Sequence, residues 1–242
     1  TRATRKRIQK RTDDLLASVR DSLSHLSSRG TPRNKWEQGA VSFIKTITWN
    51  KKLNAETSSK RVRAQRGVAN DFRAGKKRAK PWLPKIEAEL ASRGLPKDLA
   101  LMTFIESMFN TKAHSSAGAA GVWQLMPATA REFGLKVKRG HDDRMDILKA
   151  TTAAAKLLAR NHRMLESWPL AVTGYNHGAY GVKRAIRKVG SRKLEDLIEH
   201  YDKRTWGFAS KNFYAELIAM IRIFNNQKAS SGMRTTRDPQ KT

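Results

Sequence analysis

Residues 99–109, LALMTFIESMF, constrain this chain more than any other stretch. Their spacing is helical and their composition is that of a core, yet Glu106 sits among them as the only charged residue between Asp98 and Lys112. Acids are rarely buried without a partner, and desolvation disfavours the charged form. Such a group holds its proton toward neutral pH, which is what a general acid needs. The alternative is an acid at the polar end of its helix, pointing to water.

Elsewhere apolar residues recur mostly at three- and four-residue steps. Ile8, Leu15, Leu16, Val19, Leu23 and Leu26 predict a helix over residues 13–26. Residues 27–32 read as a break, and Trp36, Val41, Phe43, Ile44 and Ile47 mark a second helical stretch. The basic cluster at 73–80, with Ala74 and Gly75 inside it, reads as an exposed joint. A short helix follows around Ile86 and Leu90, broken at Gly94-Leu95-Pro96, and Pro96 leads into the Glu106 helix. Further helices are expected at 151–165, 170–175, 181–189 and 209–225, with long loops near 110–122 and 134–146. Val, Ile and Thr never alternate as a strand requires, so the expected class is mainly α. The expected organisation is a basic helical extension over 1–80, a folded domain over 81–228 and a flexible polar tail over 229–242.

Charge narrows the partners. The 242 residues hold 49 Lys and Arg against 21 Asp and Glu, a net charge of +28, which attracts polyanions and says nothing about fold. The excess is uneven: 22 basic and 6 acidic groups lie in residues 1–80, against 24 and 14 in residues 81–228. The chain has no cysteine, which excludes disulfides, thiol nucleophiles and zinc–thiolate sites. His114, His141 and His177 are scattered without metal-ligand spacing, so neither a metal nor another cofactor is expected. No apolar run is long enough for a membrane span. The chain opens at Thr1 rather than Met, so a leader is expected to have been removed.

Three blocks follow in order. Glu106-Ser107 comes first, with Ser115 eight residues after Ser107 in His114-Ser115-Ser116-Ala117-Gly118. Gly121-Val122-Trp123-Gln124-Leu125-Met126-Pro127 comes next, and then Thr173-Gly174-Tyr175-Asn176-His177-Gly178. Together they resemble the soluble-type lytic transglycosylases, relatives of goose-type lysozyme, and most closely the membrane-bound lytic transglycosylase D branch. Gly94-Leu95-Pro96 and residues 208–214 also match, so the resemblance covers roughly residues 62–226.

The resemblance implies a lysozyme-like helical domain acting on peptidoglycan glycan strands, at the β-1,4 bond between N-acetylmuramic acid and N-acetylglucosamine. It makes Glu106 the single catalytic carboxylate, acid first and base second, with a 1,6-anhydromuramoyl product. By the same likeness Ser115 hydrogen-bonds near the reacting sugar, Gln124 lines the cleft, Tyr175 orients the acid or the acetamido group, and Asn176 fixes its loop. Met126 and Trp123 either face sugar rings or belong to the core; Ser115 either binds substrate or caps a helix; Gln124 and Asn176 either bind it or satisfy backbone groups. The implied location is periplasmic or secreted, at the cell wall.

Two departures stand out. The family's usual Ala-Tyr-Asn is Gly174-Tyr175-Asn176 here, with His177 where a small residue is common. An acidic residue that often precedes the counterpart of Ser210-Lys211-Asn212 is Ala209, which removes one carboxylate and raises the prospect of glycans with altered acetylation. The nearest alternative is a water-using, lysozyme-like muramidase, which needs a second acid from Asp142, Asp143 or Asp146, although Asp146 reads as a helix cap. A nucleic-acid-binding protein, with Trp36 and Trp49 stacking on bases, explains residues 1–80 but not the acid helix or the ordered blocks. For that basic segment the expectation is attachment to anionic wall polymers.

Overall fold

A computed structural model describes residues 2–29, 31–35, 37–38 and 68–232. Among these, the chain divides into two compact units, residues 1–68 and 69–242. The expectations for Trp36, Val41, Phe43, Ile44, Ile47 and Trp49 lie outside the described residues.

In the first unit, helix α1 runs from Arg2 to Arg29 and so begins well before residue 13. Beyond it, Arg33 bonds to Asp21 at 2.8 Å and to the buried Glu37 at 2.7 Å. The guanidinium lowers the Glu37 carboxyl to about 2.

The second unit is mainly helical. Helices α2 (Val68–Ala79) and α3 (Leu83–Ser92) lead into a 3-10 turn, Lys97–Leu101, and the short helix α4, Met102–Ser107. Then come α5 (Pro127–Glu132), α6 (Ile147–Leu165), α7 (Trp168–His177), α8 (Ala179–Val189), α9 (Leu194–His200) and α10 (Phe208–Gly232). Two-residue strands β1 (Val137–Lys138) and β2 (His141–Asp142) form an antiparallel pair. The mainly α expectation is therefore met, and this hairpin is a local ornament in the expected 134–146 loop.

The boundaries have physical causes. Pro127 and Pro169 open α5 and α7, where a missing N–H costs nothing. Asp146 caps α6, accepting from Leu148 and Lys149 N–H at 3.0 Å, as its position suggested. Buried Ala150, Ala153, Ala154 and Ala155 on α6 let neighbouring helices approach closely. On α8, Ala179, Val182 and Ala185 are buried while Lys183, Arg184, Arg187 and Lys188 face out.

Two expectations change. Residues 73–80 are not an exposed joint: most of them belong to α2, with Gly75 and Ala79 buried and Phe72 packed on Phe104 at 5.7 Å. The last helix runs through residues 229–232, beyond the point where a loose tail was expected. Phe72 and Phe224 supply the apolar contact that recruits both helices to one aromatic cluster, meeting edge to face at 5.9 Å.

Candidate active site

Glu106 sits in the last turn of α4. Immediately beneath it, Met102, Thr103 and Phe104 are completely buried, and Phe104 packs against Phe109 and Phe224 at 5.8 and 5.1 Å. The carboxyl itself is partly buried rather than turned to bulk water. Its pKa is pushed up to about 8, first by desolvation and second by the nearby charge of Glu216 on α10. The charge that acts on this acid is thus another carboxylate, not a cation from the basic surface.

Ser107 pins the acid helix to the next block. Its hydroxyl contacts Thr103 O and Val122 O, each at 3.1 Å, and accepts from Asn110 N–H at 3.2 Å. A hydroxyl has one proton, so one of the two carbonyl contacts carries it at a time. The block itself is locked from several sides. Trp123 is fully buried and donates its indole N–H to Thr151 Oγ1 at 2.9 Å. Gln124 takes a left-handed φ of 46° and commits its amide to Gly121 O and Ala113 O, at 2.8 and 3.2 Å. Arg144, almost fully buried, donates to Gly118 O at 2.7 Å and Leu125 O at 2.9 Å, and pairs with Asp142 at 2.7 Å. Gly121 combines a φ of 76° with a backbone approach so close that a methyl group would collide with Arg144 O.

Tyr175 joins the third block to the second. Its hydroxyl donates to Trp123 O at 2.7 Å, its ring lies 6.3 Å from Trp123, and Phe213 of α10 stacks parallel to it at 6.5 Å. Burial, and then the charge of Glu106, raise its pKa well above the ordinary tyrosine value, so the phenol stays neutral. Asn176 is exposed, and its Oδ1 accepts a long 3.4 Å bond from Ser210 Oγ, which also contacts His177 Nδ1 at 2.9 Å. Ser115 is exposed, and its Oγ accepts from Ala119 N–H at 2.9 Å, closing a turn. Met126 is 42% exposed, so it is not core, whereas Trp123 is.

The two departures have local reasons. A methyl group at Gly174 would meet Leu165 Cδ1 at 3.1 Å and Ala179 Cα at 3.3 Å, so glycine lets α7 approach α8. His177 occupies the space over Gly181, where a side chain would come within 2.5 Å of its ring.

The aspartates considered as a second acid have other tasks. Asp142 holds Arg144, Asp143 accepts from Lys149 at 2.7 Å and from Lys136 N–H at 2.8 Å, and Asp146 caps α6. The acid that sequence reasoning missed is Glu216. It is raised by its own desolvation, and it lies one turn after Phe213 on the face of α10 turned to the site. A lone glutamate amid Tyr214, Leu217 and Met220 is the same signal that marked Glu106. Among the described residues no cluster of three or more His, Asp or Glu is arranged to hold a metal ion, and no helix is long and apolar enough to cross a membrane.

Comparison with known proteins shows what the chain is similar to. Residues 84–198 match the family model described as Transglycosylase SLT domain. The chain is 34% identical over 157 residues to Membrane-bound lytic murein transglycosylase D of Escherichia coli (strain K12), and equally to that of strain O6:H1, covering 62% of this chain and 33% of theirs. It is 38% identical over 116 residues to a protein of Alteromonas sp. (strain M-1) named for tributyltin chloride resistance, covering 48% of this chain and 56% of that one. The chain thus spans about a third of the length of the first relatives and just over half of the other.

Proposed function

Because residues 84–198 make this chain a member of the lytic transglycosylase family, we propose that it cleaves the β-1,4 bond between N-acetylmuramic acid and N-acetylglucosamine in peptidoglycan. The observation that carries this reading is Glu106, an acid in the first of the three blocks whose pKa is raised to about 8. Glu106 donates its proton to the glycosidic oxygen as the bond breaks, and the substrate's own acetamido oxygen stabilises the cationic carbon. The glutamate, now ionised, then takes the proton of the C6 hydroxyl as that oxygen attacks the same carbon. A 1,6-anhydromuramoyl end results, and Glu106 regains its proton. A nucleophile already tethered to the reacting sugar gains the advantage of proximity.

The surrounding side chains divide the work. Ser115 accepts from a backbone N–H and keeps its own proton to donate to a sugar oxygen. Gln124 has committed its amide protons, leaving its carbonyl oxygen as an acceptor for sugar hydroxyls. The exposed Met126 supplies an apolar wall, Tyr175 holds the Trp123 loop against the acid, and Asn176 offers a polar edge beyond them. The basic residues 1–80, the last of which form α2 of the catalytic unit, attach the enzyme to anionic wall polymers in the periplasm or outside the cell. Salt separates that attachment from a specific fit, because polyanion binding weakens steeply with ionic strength.

Glu216 favours one second reading. If it activates water in place of the C6 hydroxyl, the product is a reducing end and the enzyme is a muramidase. Digestion of purified sacculi, with E106Q as the inactive control, decides between the two. Anhydro ends by mass are expected from the wild type; reducing ends establish the hydrolase, and undigested sacculi overturn both readings.

A further inference from the structure

The backbone just past the acid adopts a costly conformation. Met108 and Phe109 follow Ser107 with φ of 49° and 54°, two consecutive non-glycine residues in the left-handed region. Helix α4 has only six residues and too few hydrogen bonds to hold its own direction. The aim of Glu106 therefore depends on whatever grips this turn.

The grip comes from α2. Arg78 donates Nε–H to Phe109 O at 2.9 Å and Nη2–H to Met108 O at 2.8 Å, so one planar guanidinium spans two successive carbonyls. Three residues earlier, the buried Gly75 lets the α2 backbone rest against the same turn, where a methyl group would collide with Met108 O. Another three residues back, Phe72 packs on Phe104 at 5.7 Å, directly under the acid helix. Residues 72, 75 and 78 recur at helical spacing and present one face to the turn. All three precede the residues matched by the family model.

We propose that α2, acting through Gly75 and Arg78, is a positioning element that aims Glu106 by holding the Met108–Phe109 turn. The proposal rests on Glu106 being the proton carrier. The role is geometric: the groups that set the charge state of Glu106 are its apolar surroundings and Glu216, and Arg78 is not among them.

The full chain carrying R78M, R78K or G75A tests this. Turnover of glycan strands is measured with kcat and KM separated, alongside Tm and an NMR titration of the Glu106 carboxyl. R78M should lower kcat by about 100-fold at unchanged KM, the scale of loss when a reacting group is misplaced by about 1 Å. Its Glu106 titration should move down toward the ordinary carboxylate range as water reaches the loosened turn. R78K, which reaches one carbonyl but not both, should recover part of each effect. G75A tests the backbone contact where it folds, and where it does not the two Arg78 variants decide. Wild-type kcat together with an unmoved titration in R78M overturns the proposal, as does a kcat loss matched by loss of folded protein. If the wild-type chain turns over no glycan, the activity reading fails while the titration still judges Arg78.

Discussion

Tyr175 donates its hydroxyl to the carbonyl oxygen of Trp123 at 2.7 Å, and this bond fastens α7 to the loop that faces the acid helix. Ser107 reaches Val122 O of the same loop from the other side, at 3.1 Å. Loop residues 122 and 123 are therefore held between α4 and α7, and neither helix can shift without disturbing the other's contact.

Tyr175→Phe removes that donor and leaves the Trp123 carbonyl short of a partner. The loss should be about 1–3 kcal/mol of stability, as is usual for an unsatisfied buried acceptor. Chemical denaturation measures it, and an unchanged midpoint would show that water fills the place.

Glu106 should govern the alkaline limb of kcat/KM, which is expected near pH 8. E106Q should lose about 100- to 10,000-fold in activity, the range associated with a positioned general acid. The same shift affects stability. The folded chain keeps a proton that the unfolded chain releases above pH 4.5, so wild-type stability should fall as pH rises from there to about 8. E106Q should lack that slope in melting curves recorded at about pH 5 and about pH 9.

Glu216→Gln removes the like charge that adds to the elevation of Glu106. The alkaline limb should move to lower pH while staying above the ordinary carboxylate range, because desolvation is the larger cause. A pH–rate profile with an unmoved limb would show that Glu216 does not act on the acid.

Arg144→Met leaves Asp142 without its ion pair and frees the carbonyls of Gly118 and Leu125. Breaking a largely buried pair by removing one partner costs about 3–5 kcal/mol, and the partial exposure of Asp142 places the expected loss at the lower end. Activity should fall with it, since the loop carrying Ser115 and Gln124 loses its anchor. Denaturation midpoints together with sacculus digestion check both outcomes.

How much of this is legible along the chain depends on the range of each interaction. Asp146 as a cap, the alanine-rich α6 and the amphipathic α8 are readable because periodicity and capping act within a turn or two of helix. The isolation of Glu106 is readable for the same reason, as its apolar neighbours are its neighbours in sequence. The segment 73–80 misleads because its charges suggest solvent. Their long stems let Lys and Arg ride the outer face of α2 while Gly75 and Ala79 turn inward. Gln124 is legible as a cleft residue by likeness alone; that its amide serves two backbone carbonyls follows from a left-handed turn that residue type does not announce.

The amino-acid sequence by itself determined the helical class, the apolar setting of one acid and the order of the three blocks around it, because these rest on local spacing and side-chain chemistry. Tertiary structure alone decided that Glu216 lies near enough to act on Glu106, that the three aspartates are engaged by Arg144, Lys149 and the start of α6, and that Arg78 reaches across to the turn after the acid. Those facts depend on which distant segments pack together. Packing is settled by the fit of whole helix faces, and no window along the chain contains it.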